Sequence, residues 1–496
     1  MSYRIEDIRL YVRETLPGRM LFTLGKHGAS DKPARPLTSP IGYVRLTLRG
    51  ADGGKAFGCA ADRLSVRWLD KRPGRSHGRK LHELVALIHH ARDVYLSRSA
   101  FDSPFQVWQD GFNDVMAHGR SQGQEDLTCC LASAIVERAI LDAVARLAGK
   151  PLFDMVREDR LGFRPTQVHP ELKGLRLADH LPRRPLTRFR IRHTVGLADP
   201  LTAGDLPAGQ RVNDGLPETL EEYVRQDGLT AFKVKISGDP GPDLDRLGRL
   251  WMVIPQKPET IITLDANEAY RELAPFVDFV ATLRDQLPGL FERILYIEQP
   301  LERTLSLDPS SERWVRRVAG TKPLIIDEAD GNLEAFKRAH AIGYAGTSCK
   351  NCKGFFKSLL NRALVAHYNA AGQKTFLTGE DLQNLPIVPL HQDFVALSML
   401  GITHCERNGH HYNYGLSMVP EKEKACVAKH HRDLYVQRGS EWFLNIRDGM
   451  VACGSLQCPG FGVREEPDWA SMTEMRRWVQ GRYPTDGPTD AGRKHH

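Results

Sequence analysis

Residues 231–238 read AFKVKISG, 260–267 TIITLDAN, 294–300 ILYIEQP and 323–329 PLIIDEA. Each is a short apolar run that reads as a strand, and the stretches between them have room for helices. The rhythm begins at RFRIRHTVG (188–196) and continues through GTSCKNCKG (346–354), KTFLTGED (374–381) and GITHCERN (401–408). Eight strands separated by crossovers in which helices are plausible predict parallel pairing, and eight is the number that closes a barrel. The expected fold class is α/β, a (β/α)8 barrel over residues 188–430.

In such a barrel the carboxyl ends of the strands converge on one pocket, so the polar residues at those ends decide the chemistry. The second strand ends in Lys233-Val234-Lys235, whose two-residue period points both ammonium groups to one face. The third ends in Asp265-Ala266-Asn267, the fourth in Glu298-Gln299-Pro300 and the fifth in Asp327-Glu328, and the sixth brings Lys350. A single Asp at a strand end often only caps the next helix or binds loop amides. Carboxylates on three consecutive strands are harder to explain that way, and an all-oxygen set suits Mg2+, or Mn2+, better than zinc. A lysine beside another cation and low-dielectric walls has a lowered pKa and serves as a neutral base; Lys233 is such a neighbour for Lys235. Lys350 then faces Lys235 across the substrate. Two lysines on opposite faces take a proton from one side and return it on the other while the metal holds an enolate, which is the geometry of a racemase or epimerase.

Before the barrel, YRIEDIRLYVR (3–13) and IGYVRLTLRG (41–50) alternate apolar and polar residues as half-buried strands do, and Leu81–Leu96 and Leu131–Leu147 are helical in pattern. An α+β domain is expected over 1–162, a proline- and arginine-rich linker over 163–187, and a C-terminal segment, 431–496, packing back on the first domain. The composition, 41% hydrophobic and 26% charged, with a mean hydropathy of −0.39, is that of a globular protein. No apolar run approaches the roughly 18 residues a membrane helix needs, and charges near the amino terminus replace the apolar stretch of a signal peptide, so a cytoplasmic location is expected. The nine cysteines are scattered, and Cys349-x-x-Cys352 is a lone pair of the kind that gives only a weak metal signal. A net charge of +7 without a nucleic-acid motif fits an enzyme of small carboxylates better than a nucleic-acid or membrane binder. Self-association into a homo-oligomer is expected.

The order KxK, DxN, EQP, DE and then Lys350 in CKNCKG, with Lys235, Asp265, Glu298 and Asp327 about 30 residues apart as one βα unit requires, resembles the enolase superfamily. Within it the motif is similar to the muconate-lactonizing subgroup of the mandelate racemase/muconate lactonizing enzyme family. SAIVERAILDAVARLAGKPLF (133–153) also resembles the family's capping domain where it meets the barrel, so the likeness spans roughly residues 3–430. The resemblance implies a TIM-type barrel with an N-terminal α+β capping domain. It implies Asp265, Glu298 and Asp327 as Mg2+ ligands, Lys235 and Lys350 in proton transfer, Lys233 supporting Lys235, and Asn267 and Glu328 beside them. The implied activity is that of an isomerase or lyase, abstracting a proton α to a substrate carboxylate in a racemisation, epimerisation, cycloisomerisation or β-elimination.

The departures fall where specificity is set. The mandelate-racemase subgroup carries a His on strand seven paired with an Asp on strand six, whereas this chain has FLTGED and CKNCK. That argues against a typical acid-sugar dehydratase, leaving dehydration by lysine as an alternative. Dipeptide epimerases of the subgroup carry Asp-x-Asp on strand eight, whereas this chain has His404-Cys405-Glu406. Glu380 and Glu406 are expected as supporting or substrate-binding carboxylates, with Asp381 beside Glu380; His410, His411 and Tyr412 are candidate substrate contacts or plain loop residues. Phe355 is expected to narrow the pocket. Segments near Gly18–Pro40 and Asp62–Ser76 are expected to form a lid whose Lys26, His27, Lys32, Arg35, Arg67, Lys71, Arg72 and Arg75 favour an anionic substrate. A reading from another class, a catalytically silent barrel acting as a binding protein, is separated from the enzyme by exchange of substrate α-protons with deuterated solvent.

Overall fold

The computed structural model describes residues 2–20, 38–206 and 208–484. The first domain opens with strands Tyr3–Glu14, Pro40–Gly50 and Lys55–Arg63, paired antiparallel in that order. Along the first strand buried and exposed residues largely alternate, so one face carries Tyr3, Ile5, Ile8, Leu10 and Val12 into the core. Helices His77–Ser97, Pro104–Ser121 and Asp126–Leu147 follow, and Ser76 and Ser103 cap the first two by accepting from the amides of Arg79 and Gln106. The third helix is buried nearly all round, because the sheet covers one side and the barrel the other. It approaches the sheet so closely at Gly58 that a Cβ there would stand 2.0 Å from the Ala139 carbonyl oxygen.

After one-turn helices between Pro165 and His180, the barrel begins. Its strands are Arg188–Val195, Ala231–Lys235, Ile261–Asp265, Ile294–Glu298, Leu324–Ile326, Gly346–Cys349, Phe376–Gly379 and His404–Arg407. Each pairs in parallel with the next, and His404–Arg407 pairs with Arg190–His193 to close the ring. The (β/α)8 barrel with an α+β cap is thus the observed fold. Met450–Ala452 adds an antiparallel strand to the first barrel strand, so this part of the C-terminal segment stays on the barrel. The chain meets the first domain at Gly460, which bridges Pro151, and then at Thr473–Glu474 beside Tyr11 and Val12. Among the described residues no helix is long and apolar enough to cross a membrane.

Candidate active site

Strand register sets the acidic residues side by side: Lys235 lies opposite Asp265, and Asp265 opposite Glu298. Just past these ends the chain turns through left-handed backbone at Asn267 (φ 43°) and Gln299 (φ 37°), a conformation that side-chain bonding must hold in a non-glycine residue. Gln299 does so with its amide. Its Nε2 donates to the Leu301 carbonyl (2.7 Å) and Ser306 Oγ (2.8 Å), while its Oε1 accepts from the backbone of Asp327 (2.8 Å) and Ala329 (3.1 Å). The fourth strand thereby fixes the tip of the fifth.

Lys233 sits at the centre of the barrel, with Nζ 2.9 Å from Asp265, 2.8 Å from Glu298, 2.7 Å from Glu380 and 3.0 Å from Glu406. Lys235 Nζ is 2.5 Å from Asp265 Oδ2 and 2.8 Å from Asn267 Oδ1. From the opposite side Lys350 Nζ donates to Asp327 Oδ2 at 2.6 Å and lies 4.2 Å from the centre of the Trp68 ring. Lys353 binds Asp327 as well, 2.9 Å from Oδ1 and 2.6 Å from its carbonyl oxygen. Glu328 Oε1 accepts from Trp68 Nε1 and from Asn267 Nδ2, each at 2.9 Å.

These pairings set the electrostatics. Burial works against the charge of Lys233, but Asp265, Glu298, Glu380 and Glu406 outweigh it and hold the ammonium far above its ordinary pKa. Burial likewise opposes the charge of Lys350, and Asp327 outweighs it, so this pKa is raised. The like charge that Lys233 was expected to exert on Lys235 is neutralised by four carboxylates, and Lys235 is itself paired with Asp265. Glu298 is pushed well above the carboxylate range by burial and then by Asp265 and Glu380; Glu328 rises to about 7 by burial, then Asp327 and Glu268. Burial would raise Asp327 too, but Lys350 and Lys353 hold it well below.

The three carboxylates expected to bind Mg2+ come together, but not as an open cage. Among the described residues no three acidic, histidine or cysteine side chains stand as a metal-holding group, since ammonium groups lie between Asp265, Glu298 and Asp327. The donor chemistry nevertheless fits a hard divalent cation. It is all carboxylate oxygen on adjacent strand ends, and the buried Glu298 Oε2 accepts no hydrogen bond beyond its ion pair with Lys233 Nζ at 2.8 Å.

The other expected residues take the following places. Glu380 is fully buried, accepting from Arg192 (2.6 Å), Tyr296 (2.8 Å) and Lys233 (2.7 Å), and Glu406 accepts from Thr194 (2.8 Å) and Lys233 (3.0 Å), so both are bound to Lys233. His410 bonds His193 (3.0 Å) on the outer wall of the barrel, because His193 and Arg407 alternate outward where Arg192 and Glu406 point inward. Phe355 packs in the core against Phe461 and narrows nothing. In the second expected lid segment Arg72 is paired with Asp70 and Glu83. Lys26, His27, Lys32 and Arg35 lie outside the described residues. Cys349 and Cys352 are buried free thiols. Sequence reasoning missed Arg192, Lys353 and Trp68. The inward register of FRIRH would have found the first and the KxxK spacing the second, but nothing in SVRWLD points to Trp68.

Neither a protein-family model nor a curated protein matches this chain. Solved structures do. A mandelate racemase/muconate lactonizing enzyme from Bordetella bronchiseptica RB50 is 16% identical, with a TM-score of 0.56, over 94% of this chain and 98% of that one. The L-Ala-D/L-Glu epimerase from Bacillus subtilis is 15% identical, with a TM-score of 0.56, over 92% of this chain and 98% of that one. A protein of Roseovarius nubinhibens ISM ascribed to mandelate racemase/muconate lactonizing enzyme, complexed with magnesium, is 15% identical, with a TM-score of 0.53, over 94% and 97%. At such identities the likeness is one of fold, a (β/α)8 barrel with an α+β cap.

Proposed function

We propose that a chain with this fold and this strand-end chemistry is an enzyme that removes the proton α to the carboxylate of a small substrate and returns a proton to the resulting enolate, as a racemase, epimerase or cycloisomerase. The observation that carries the reading is the placement of Lys235 and Lys350 at the ends of the second and sixth of eight strands, diametrically opposed, each against a strand-end carboxylate. Asp265, Glu298 and Asp327 are the residues that would hold Mg2+ or Mn2+. A cation bound there would supply Lewis-acid stabilisation of the enolate and a counter-charge for the carboxylates that now pair with the lysines.

The work of the chain's own groups follows from their positions. One lysine, as the free amine, takes the α-proton on its nitrogen while the C–H electron pair passes into the enolate. The other, as the ammonium, delivers a proton to the opposite face of the same carbon, and the two exchange protonation states. Lys233, tied to four carboxylates, keeps the barrel interior from repelling an anionic substrate. Glu380 and Glu406 keep Lys233 in place.

The test is a set of amino-acid, dipeptide and sugar-acid substrates incubated in deuterated water with Mg2+. Deuterium at the α-carbon of at least one is the expected result. Glu298→Gln should abolish that uptake and weaken Mg2+ binding measured by calorimetry, with the folded structure kept. Full uptake in the presence of a chelator would remove the metal from this reading, and no uptake from any carboxylate by folded, Mg2+-loaded protein would overturn it.

A further inference from the structure

Trp68 belongs to the short helix Val66–Leu69 of the first domain, yet its side chain, 3% exposed, lies among the barrel groups. Its indole N–H donates to Glu328 Oε1, and its ring face covers Lys350 Nζ at 4.2 Å from the centroid. Glu328 Oε1 also accepts from Asn267 Nδ2, whose Oδ1 accepts from Lys235 Nζ. The two lysines are therefore joined by one continuous chain: Lys235, Asn267, Glu328, Trp68, Lys350.

The two ends of that chain differ. Lys235 is held by Asp265 and Asn267, both from the barrel itself. Lys350 is held between Asp327 of the barrel and a ring brought by the other domain. Three constraints fix that ring. The indole N–H bond sets its rotation, and Arg303 approaches the carbonyl oxygens of Trp68 (3.4 Å) and Leu69 (3.3 Å). Arg303 is itself bound to Glu268 of the barrel (2.8 Å) and paired with Glu125 of the first domain. An ammonium desolvated against an indole face gains an attraction that it loses when the ring is replaced by an alkyl group.

We infer that Trp68 is a positioning residue for Lys350 alone, so that the sixth-strand lysine is set for proton transfer only while the first domain is docked, and the second-strand lysine is set by the barrel. The consequence for turnover rests on the proton-transfer reading above; the hold on Lys350 does not.

The hold is measured without turnover, on the full chain, by acetylation with trace acetic anhydride at one fixed pH, read at Lys350 and Lys235 by peptide mass spectrometry. Trp68→Leu should raise Lys350 labelling roughly tenfold, with Lys235 changed by less than about twofold. Trp68→Phe keeps a ring face and should restore the wild-type labelling of Lys350. Trp68→Met, of similar reach and without a ring, should behave as Trp68→Leu and stands in for it should the leucine variant melt early. Unchanged labelling of Lys350 in the ringless variants, or an equal rise at both lysines, would overturn the inference. Wild-type protein that shows this labelling asymmetry but exchanges no α-proton would sink the proposed function and leave the positioning intact.

Discussion

Lys235 and Lys350 stand at the ends of opposite strands of the barrel, and their separate partners predict separate phenotypes. If the reaction is a racemisation, Lys235→Ala and Lys350→Ala should each abolish interconversion, a loss of about 10²–10⁴-fold for a general acid–base group. Each variant should still exchange the α-proton of one enantiomer with solvent, and the two should prefer opposite enantiomers. Exchange measured by NMR with each pure enantiomer checks this, and near-wild-type turnover in both variants would refute the mechanism. At this scale the sequence was legible wherever a residue's job followed from its register. Lys233, Lys235, Asp265, Glu298, Asp327 and Lys350 all reach one region. It left two roles open at Glu380 and Glu406, because strand position alone does not tell a carboxylate that faces a substrate from one claimed by Arg192, Thr194 or Lys233.

The helix Phe355–Ala370 begins at Gly354, which has no side chain to cap it, and the missing acceptor comes from the other domain. Glu137, in the middle of helix Asp126–Leu147, accepts from the Phe356 amide at 2.6 Å through Oε1, while its Oε2 is buried without a partner. That bond also anchors the loop carrying Lys350 and Lys353. Burial raises Glu137 to about 8 from an ordinary 4.5. A carboxyl whose pKa is higher folded than unfolded lends stability that is complete below about 4.5 and is lost as pH rises through about 8. Glu137→Gln keeps the accepting oxygen and does not titrate. Its melting temperature relative to wild type should therefore improve steadily between about pH 5 and pH 8. A constant difference across that range would show that Glu137 is ionised in the fold.

At the scale of the whole molecule, one contact between domains runs through Arg303, which joins Glu268 of the barrel to Glu125 and the backbone of Trp68 and Leu69 in the cap. Its side chain is 10% exposed and Glu268's is 6%, so removing it leaves a carboxylate buried and unpaired. Arg303→Ala should cost about 3–5 kcal/mol in denaturant unfolding, as breaking a buried pair does. Arg303→Lys should recover only part, since one ammonium does not reproduce a fork bonded on both arms. The same variant should speed proteolytic cleavage in the connecting residues 163–187, and an unaltered cleavage rate would deny Arg303 its part in docking.

What the sequence determined by itself is what local spacing encodes. Eight short apolar runs about one βα unit apart can bury themselves only by closing a parallel barrel, and the period of a strand turns alternate residues such as Lys233 and Lys235 to the same side. What only the tertiary structure decided is which charges neutralise which. Lys233 amid four carboxylates, Lys353 on Asp327, and above all Trp68 over Lys350 join residues far apart in the chain or in different domains, and no periodicity records such a meeting. Electrostatic energy depends on through-space distance and burial, which a linear pattern does not carry, so Lys235, expected to be poised by a like charge, is instead held by Asp265 and Asn267, and Lys350 by an acid and an indole.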